Sequence, residues 1–144
     1  MTSEEVQQLI EASEAGVRNA YTENASPADS RIGAAVLTSA GNVHSSGQYY
    51  SHTGSLTLHA EQAVLACAAA HGEYGIVAIA VTWNAAAGLD RDDTSIIYPC
   101  HMCKQLLWES HLRSGLNTEI LIVKHSQVVE RLFLNDIMSH TWPR

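Results

Sequence analysis

Two short segments, His59-Ala60-Glu61 and Pro99-Cys100-His101-Met102-Cys103, set the strongest constraint on how this chain can fold. One imidazole and two thiols are donors of the kind that hold a zinc-class ion. Three protein donors leave a fourth position open, as in catalytic centres, whereas structural zinc sites close with four. Cys100 and Cys103 stand three apart and share one side of a helical turn. His59 must therefore arrive from another element, and the fold must bring two distant segments to one place. Each segment opens an apolar run that reads as a helix. A helix N-terminus offers free N–H groups and a positive partial charge, both of which favour the thiolate. Pro99 suits a position just before such a helix, because it has no N–H to lose.

The elements around these segments follow from periodicity and punctuation. Residues 3–21 read as a helix, with Val6, Leu9, Ile10, Ser13, Val17, Ala20 and Tyr21 on one face and a Thr2/Glu5 capping box at its start. Arg31 to Thr38 reads as a buried strand. Ser39-Ala40-Gly41-Asn42 is a turn, and Val43 to Tyr50 is the returning strand of a hairpin. From His59 to His71 the chain is apolar nearly all round, which predicts a helix buried on most sides. Ile76 to Thr82 is a continuous Val/Ile/Ala run, the pattern of a central strand. Trp83 to Ser95 is a loop by composition, and Asp90, Asp92 and Asp93 read as its solvated charges. Cys100 to Arg113 is a second metal-bearing helix, stopped by Gly115. Two strands, Glu119 to Lys124 and Val128 to Phe133, flank the tight connection His125-Ser126-Gln127. Asn135 to His140 closes the chain as a short helix or turn.

The expectation is one α/β domain over residues 1–144: a three-layer α/β/α sandwich around a mixed five-stranded sheet. The strands from Ile76 and Glu119 flank a crossover helix and should be parallel. The last two strands, joined by so short a turn, should be antiparallel.

Composition narrows the function classes. Formal net charge is −7, with only eight Lys and Arg, scattered along the chain. That argues against long nucleic acids, whose phosphates need clustered cations. Three cysteines, two of them in C-x-x-C, are not a disulfide framework and suit a reducing compartment. The polar, acidic start does not read as a signal peptide, and no apolar run is long enough to cross a bilayer. A cytoplasmic protein is expected.

H-x-E followed by P-C-x-x-C matches the signature of zinc deaminases that act on nucleobases. The charge count agrees, since Zn2+ with two thiolates and a neutral imidazole is net neutral. Water at the open position would then ionise near pH 7, at roughly the lowered pKa expected for such sites. Lys104, next to Cys103, is a further cation that could assist. Attack falls on the carbon bearing an exocyclic amine. Glu61, two residues from a ligand, would carry the proton from water to the ring nitrogen and then to departing ammonia.

Beyond the signature, the chain resembles the small cytidine deaminases, and blasticidin-S deaminase among them, nearly end to end. Arg31-Ile32-Gly33-Ala34-Ala35-Val36-Leu37 is similar to that family's V-G-A-A strand, and Ala78-Ile79-Ala80-Val81 to its central strand. Pro99-Cys100-His101-Met102-Cys103-Lys104-Gln105-Leu106-Leu107 is similar to P-C-G-x-C-R-Q-V-L. The resemblance implies zinc on His59, Cys100 and Cys103, with Glu61 as proton shuttle. It implies that the Ala60 N–H meets the ring carbonyl and that the Tyr98 carbonyl meets the leaving amine. It also implies a homotetramer, or less often a homodimer, whose subunits complete each other's sites.

There are departures. The family's ribose clamp, N-x-E-N, is absent from Gly47-Gln48-Tyr49-Tyr50-Ser51-His52, and Ser30 stands where the family has an aromatic residue. Ser51-His52-Thr53-Gly54 resembles a stretch of blasticidin-S deaminase. Cytidine, a modified or antibiotic cytosine nucleoside, a free base and another aminated heterocycle all remain open as the small-molecule substrate. Base editing in nucleic acid and a silent zinc-stabilised interaction module are the rival readings. Tyr49, Ser51 and His52 are candidate substrate contacts; for Tyr49 and His52, loop packing is an equal alternative. Cys67 reads as a small buried hydrophobe, His101 as facing outward, and Asn42 as a turn residue. Trp83 and Trp108 read as core or interface.

Overall fold

The computed structural model describes residues 1–84 and 97–144, so most of the loop expected over 83–95, with its three aspartates, lies outside the described residues. The elements run α1 (Ser3–Asn19), β1 (Arg31–Thr38), β2 (Val43–Gly47), α2 (Ala60–Ala70), β3 (Ile76–Asn84), α3 (His101–Ser114), β4 (Glu119–Lys124), β5 (Gln127–Phe133) and α4 (Leu134–Ile137). They form the expected three layers around a five-stranded sheet of order β2-β1-β3-β4-β5. β3 and β4 are parallel, and the other neighbours are antiparallel.

The parallel pair follows from α3, which carries the chain across between its strands. The β4–β5 turn is tighter than expected. His125 and Ser126 have φ of 51° and 59°. Two left-handed residues in succession mark a type I′ hairpin, whose twist matches that of the strands. β2 is shorter than expected, ending at Gly47, because the chain there turns to run beside Leu58. Tyr49 and Leu58 exchange both backbone hydrogen bonds at 2.9 Å.

The sheet buries a core on each face. Ala35, Leu37, Ala78, Ala80, Leu121 and Val123 pack beneath Leu9 and Ile10 of α1. Ala34, Val36, Ile79, Val81, Ile120 and Ile122 pack beneath Ala60, Val64 and Ala68 of α2 and Leu107 of α3. β3 lies in the middle, as its unbroken apolar run predicts.

α1 holds to the sheet through small residues. A Cβ on Gly33 would stand 2.1 Å from the Ser13 carbonyl oxygen and 2.5 Å from the Val17 nitrogen. A Cβ on Gly16 of the helix would stand 2.4 Å from the Ser46 carbonyl oxygen, and one on Gly47 of β2 2.3 Å from that of Gly16. The apolar stripe that marks α1 as amphipathic is thus supplemented by a contact that side-chain periodicity does not reveal. Tyr21, expected on the buried face, lies beyond the helix end and is exposed.

α2 departs from expectation. Ala60, Val64 and Ala68 are buried, but Leu65 and Ala69 are only partly so, and Ala66 and Ala70 are exposed. Its outer side faces a groove shared with α3 and lined by Leu65, Ala69, Tyr74, Leu106 and Arg113. Just past α2, Glu73 accepts hydrogen bonds from Thr38, Asn42 and His44 and so ties the β1–β2 hairpin to the helix. The bonds from His44, Asn42 and Thr38 hold its carboxyl down at about 2. Asn42 is therefore a tether as well as a turn residue.

Candidate metal centre

α2 and α3 lie on the same face of the sheet, and their N-termini meet. His59 is the N-cap of α2 and Cys100 the N-cap of α3, with Cys103 in the first turn of α3. The two caps have extended backbones, so each side chain projects off the helix end instead of along its flank.

The Sγ of Cys100 lies 3.3 Å from His59 Nδ1, the Sγ of Cys103 lies 3.4 Å from the same nitrogen, and the two sulfurs are 3.4 Å apart. A tetrahedral zinc, bonded at about 2.3 Å to sulfur and about 2.0–2.1 Å to nitrogen, sets its donors roughly 3.5–3.8 Å apart. The triangle matches that span to within a few tenths of an ångström. The donor set and its spacing both fit zinc.

Local structure holds each donor. The His59 backbone N–H donates to the side-chain oxygen of Gln62 at 2.8 Å, which anchors the cap. The Cys103 N–H points to Cys100 Sγ at 3.5 Å, the kind of contact that favours a thiolate. Cys103 is fully buried, and burial pushes its thiol pKa up; Glu61, next in rank, pushes the same way. A dication reverses that preference, because a coordinating thiol is deprotonated outright.

Glu61 is 5% exposed and reaches Cys103 with its carboxyl group. Burial raises its pKa, partly opposed by its own backbone N–H, by His59 and by Cys103. The carboxyl therefore lies inside the site and not in solvent, the alternative open to any first-turn acid. Ala60 is fully buried, between His59 and Glu61. Pro99 is buried just before the α3 cap, whereas Tyr98 is exposed and its hydroxyl donates to Glu130 of β5.

The family model for the cytidine and deoxycytidylate deaminase zinc-binding region matches residues 3–115. The chain belongs to this deaminase family. The deaminase is similar in fold to cytidine deaminase from Burkholderia pseudomallei, with 24% identity, a TM-score of 0.77, and 99% and 100% of the two chains covered. It is similar also to cytidine deaminase from Mycobacterium tuberculosis, at 23% identity and a TM-score of 0.71 over 95% and 96% of the chains. The Mycobacterium leprae enzyme gives 19% identity and 0.69 over 96% and 98%. No curated protein matches the sequence.

The other candidate residues of the deaminase fall in the segment leading to α2. Tyr49 stacks on Tyr21, with ring centroids 5.0 Å apart, in a cavity that includes Leu58, Ala63 and Ala66. Ser51 is knitted into its own loop, its N–H donating to Thr57 Oγ1 and its Oγ accepting from the Thr53 N–H. The His52 ring meets Tyr50 edge-on at 5.2 Å. His101 faces outward, as expected. Trp108 donates through Nε1 to the Pro143 carbonyl, so it packs the C-terminal tail on α3.

Sequence reasoning missed Gln62. Its signal was available: a glutamine three residues after an N-cap is the reciprocal half of a capping arrangement. Cys67, expected as a buried hydrophobe, is only partly buried. It lies on the flank of α2 that faces β2, not on the sheet-facing stripe of Ala60, Val64 and Ala68.

Proposed function

We propose that this deaminase converts the exocyclic amine of a cytosine-type nucleoside to a carbonyl, releasing ammonia, with zinc held by His59, Cys100 and Cys103. The observation that carries the reading is the close triangle of one ring nitrogen and two sulfurs with the buried Glu61 carboxyl beside it.

Zinc, when bound, supplies Lewis acidity and lowers the pKa of water at its open position towards roughly 7. His59 and Cys103 orient the site, one from each helix. Glu61 takes the proton of the attacking water and passes it to the ring nitrogen. It then supplies a proton to the nitrogen that leaves as ammonia. The Ala60 N–H, at the first turn of α2 where N–H groups have no partner within the helix, holds the ring carbonyl, and the Tyr98 carbonyl accepts from the amine. Tyr49, Ser51 and His52 belong to the segment that receives the rest of the substrate, where the family's usual clamp is absent.

A homotetramer or homodimer accords with the half-covered outer side of α2 and its apolar groove against α3. The acidic charge speaks for a small substrate and against a nucleic acid.

Metal analysis with an ammonia-release screen over cytosine nucleosides, free bases and nucleoside antibiotics tests this reading. Zinc at the triad and turnover of a cytosine nucleoside are expected. Glu61→Gln should keep fold and zinc and lose turnover by about two to four orders of magnitude, the span of general acid–base catalysis. Protein that neither contains zinc nor takes it up would refute the proposal, as would near-native turnover by Glu61→Gln.

A further inference from the structure

A second set of donors lies at the other end of α2. Cys67 and His71 are four residues apart on that helix, so they share one flank. His44 stands on β2, the edge strand, opposite Val36 and on the same sheet face as α2. His44, Cys67 and His71 each place a ligand atom within 4.8 Å of the others. The His44 and His71 rings lie 4.6 Å apart. Cys67 is eight residues past His59, about 12 Å along the helix axis, so this cluster is separate from the deaminase centre.

The surroundings prepare both imidazoles as ligands. Nε2 of His44 is engaged by the Glu73 carboxylate at 2.8 Å, which leaves Nδ1 as its lone-pair nitrogen. Nδ1 of His71 donates to the Cys67 carbonyl at 2.9 Å, which leaves Nε2. Metal-bound histidines are commonly oriented in this way, by a carboxylate or a backbone carbonyl on the far ring nitrogen. Glu73 is itself held by Thr38 and Asn42. The cluster also sits at the C-terminal end of α2, where the helix dipole favours a cation. A dication on one thiolate keeps one positive charge, and Glu73, one hydrogen bond away, balances it.

We infer that His44, Cys67 and His71 form a second metal site, for a zinc-class transition-metal ion, which clamps the C-terminal end of α2 to the edge strand β2. Two imidazoles and a thiolate suit zinc, cobalt and copper, and they disfavour magnesium and calcium, which need oxygen donors.

The test uses the full chain with Co2+ alone as the probe. In Cys100→Ser/Cys103→Ser, Cys67 is the one remaining thiol, since the chain has three cysteines. This variant should bind one equivalent of cobalt with a near-ultraviolet sulfur-to-cobalt charge-transfer band. Adding His71→Ala should abolish the band, and adding Glu73→Gln should weaken binding by about tenfold or more. A folded double-serine variant without the band would overturn the inference. Should that variant fail to fold, zinc content decides: saturated wild type should hold two equivalents per chain and Cys67→Ser one, with deaminase turnover unchanged. One equivalent in both would equally overturn it.

Discussion

Gln62 is one uncharged side chain on which the geometry of the candidate metal centre depends, through its bond to the His59 backbone. His59 can reach two sulfurs on another helix only if its own backbone leaves α2 at the right angle, and the bond from its N–H to Gln62 holds that angle. Gln62→Ala should cost about 1 kcal/mol of stability, as loss of a cap usually does. It should also loosen zinc, by up to about tenfold by analogy with other outer-shell contacts, in a competition assay against a chelator. The Gln62→Glu variant keeps an acceptor at that position, so it should restore both; equal zinc affinity in all three proteins would show that the bond does not position the ligand. At this scale, the three donors that converge, and the acid beside them, are legible from residue type and spacing. Cys67 misleads, because residue type alone makes a cysteine inside an apolar helix a hydrophobe. Its neighbour His44 lies on another element, and no local pattern joins them.

Among the elements, α1 is legible as an amphipathic cover, but the reason for its closeness to the sheet is not. Gly16, Gly33 and Gly47 come from a helix and two strands, and each is open because backbone from another of these elements fills the place of its side chain. Gly33→Ala should force α1 away from β1 and lower stability by about 2 kcal/mol or more, near the upper range for overpacking. A fall in the urea midpoint with unchanged zinc content is the expected result; a midpoint equal to wild type would mean that the helix shifts at no cost. Strand order is partly legible. The crossover helix dictates the parallel pair and the short turn dictates the antiparallel one, but the place of β1 between β2 and β3 rests on a long-range pairing of β1 with β3 that no local pattern marks. α2 is less buried than its composition predicts, since an apolar circumference says that a helix face is to be covered without saying by what.

In the molecule as a whole, zinc held as proposed would join two helix caps, His59 and Cys100, that the backbone brings together only through the sheet. Removing zinc should therefore lower the melting temperature as well as stop turnover. With free zinc at a hundred times its dissociation constant, the linked stabilisation is about 2.7 kcal/mol. For a chain of this size that corresponds to a shift of several degrees, on the order of 2–4 °C per kcal/mol. Thermal melts with and without a chelator check this, and unchanged melting with demonstrated zinc removal would contradict it. No helix among the described residues is long and apolar enough to cross a membrane.

What the amino-acid order determined by itself is the chemistry and the architecture. Ligand type, spacing and helix starts are local properties, and the alternation of strand and helix patterns admits few layered arrangements. Only the tertiary structure decided which donors converge. It brought His59 to Cys100 and Cys103, set Glu61 against a buried sulfur, and placed His44 opposite Cys67 and His71. Such meetings depend on sheet register and helix packing across many residues, where distance along the chain carries no information about distance in space.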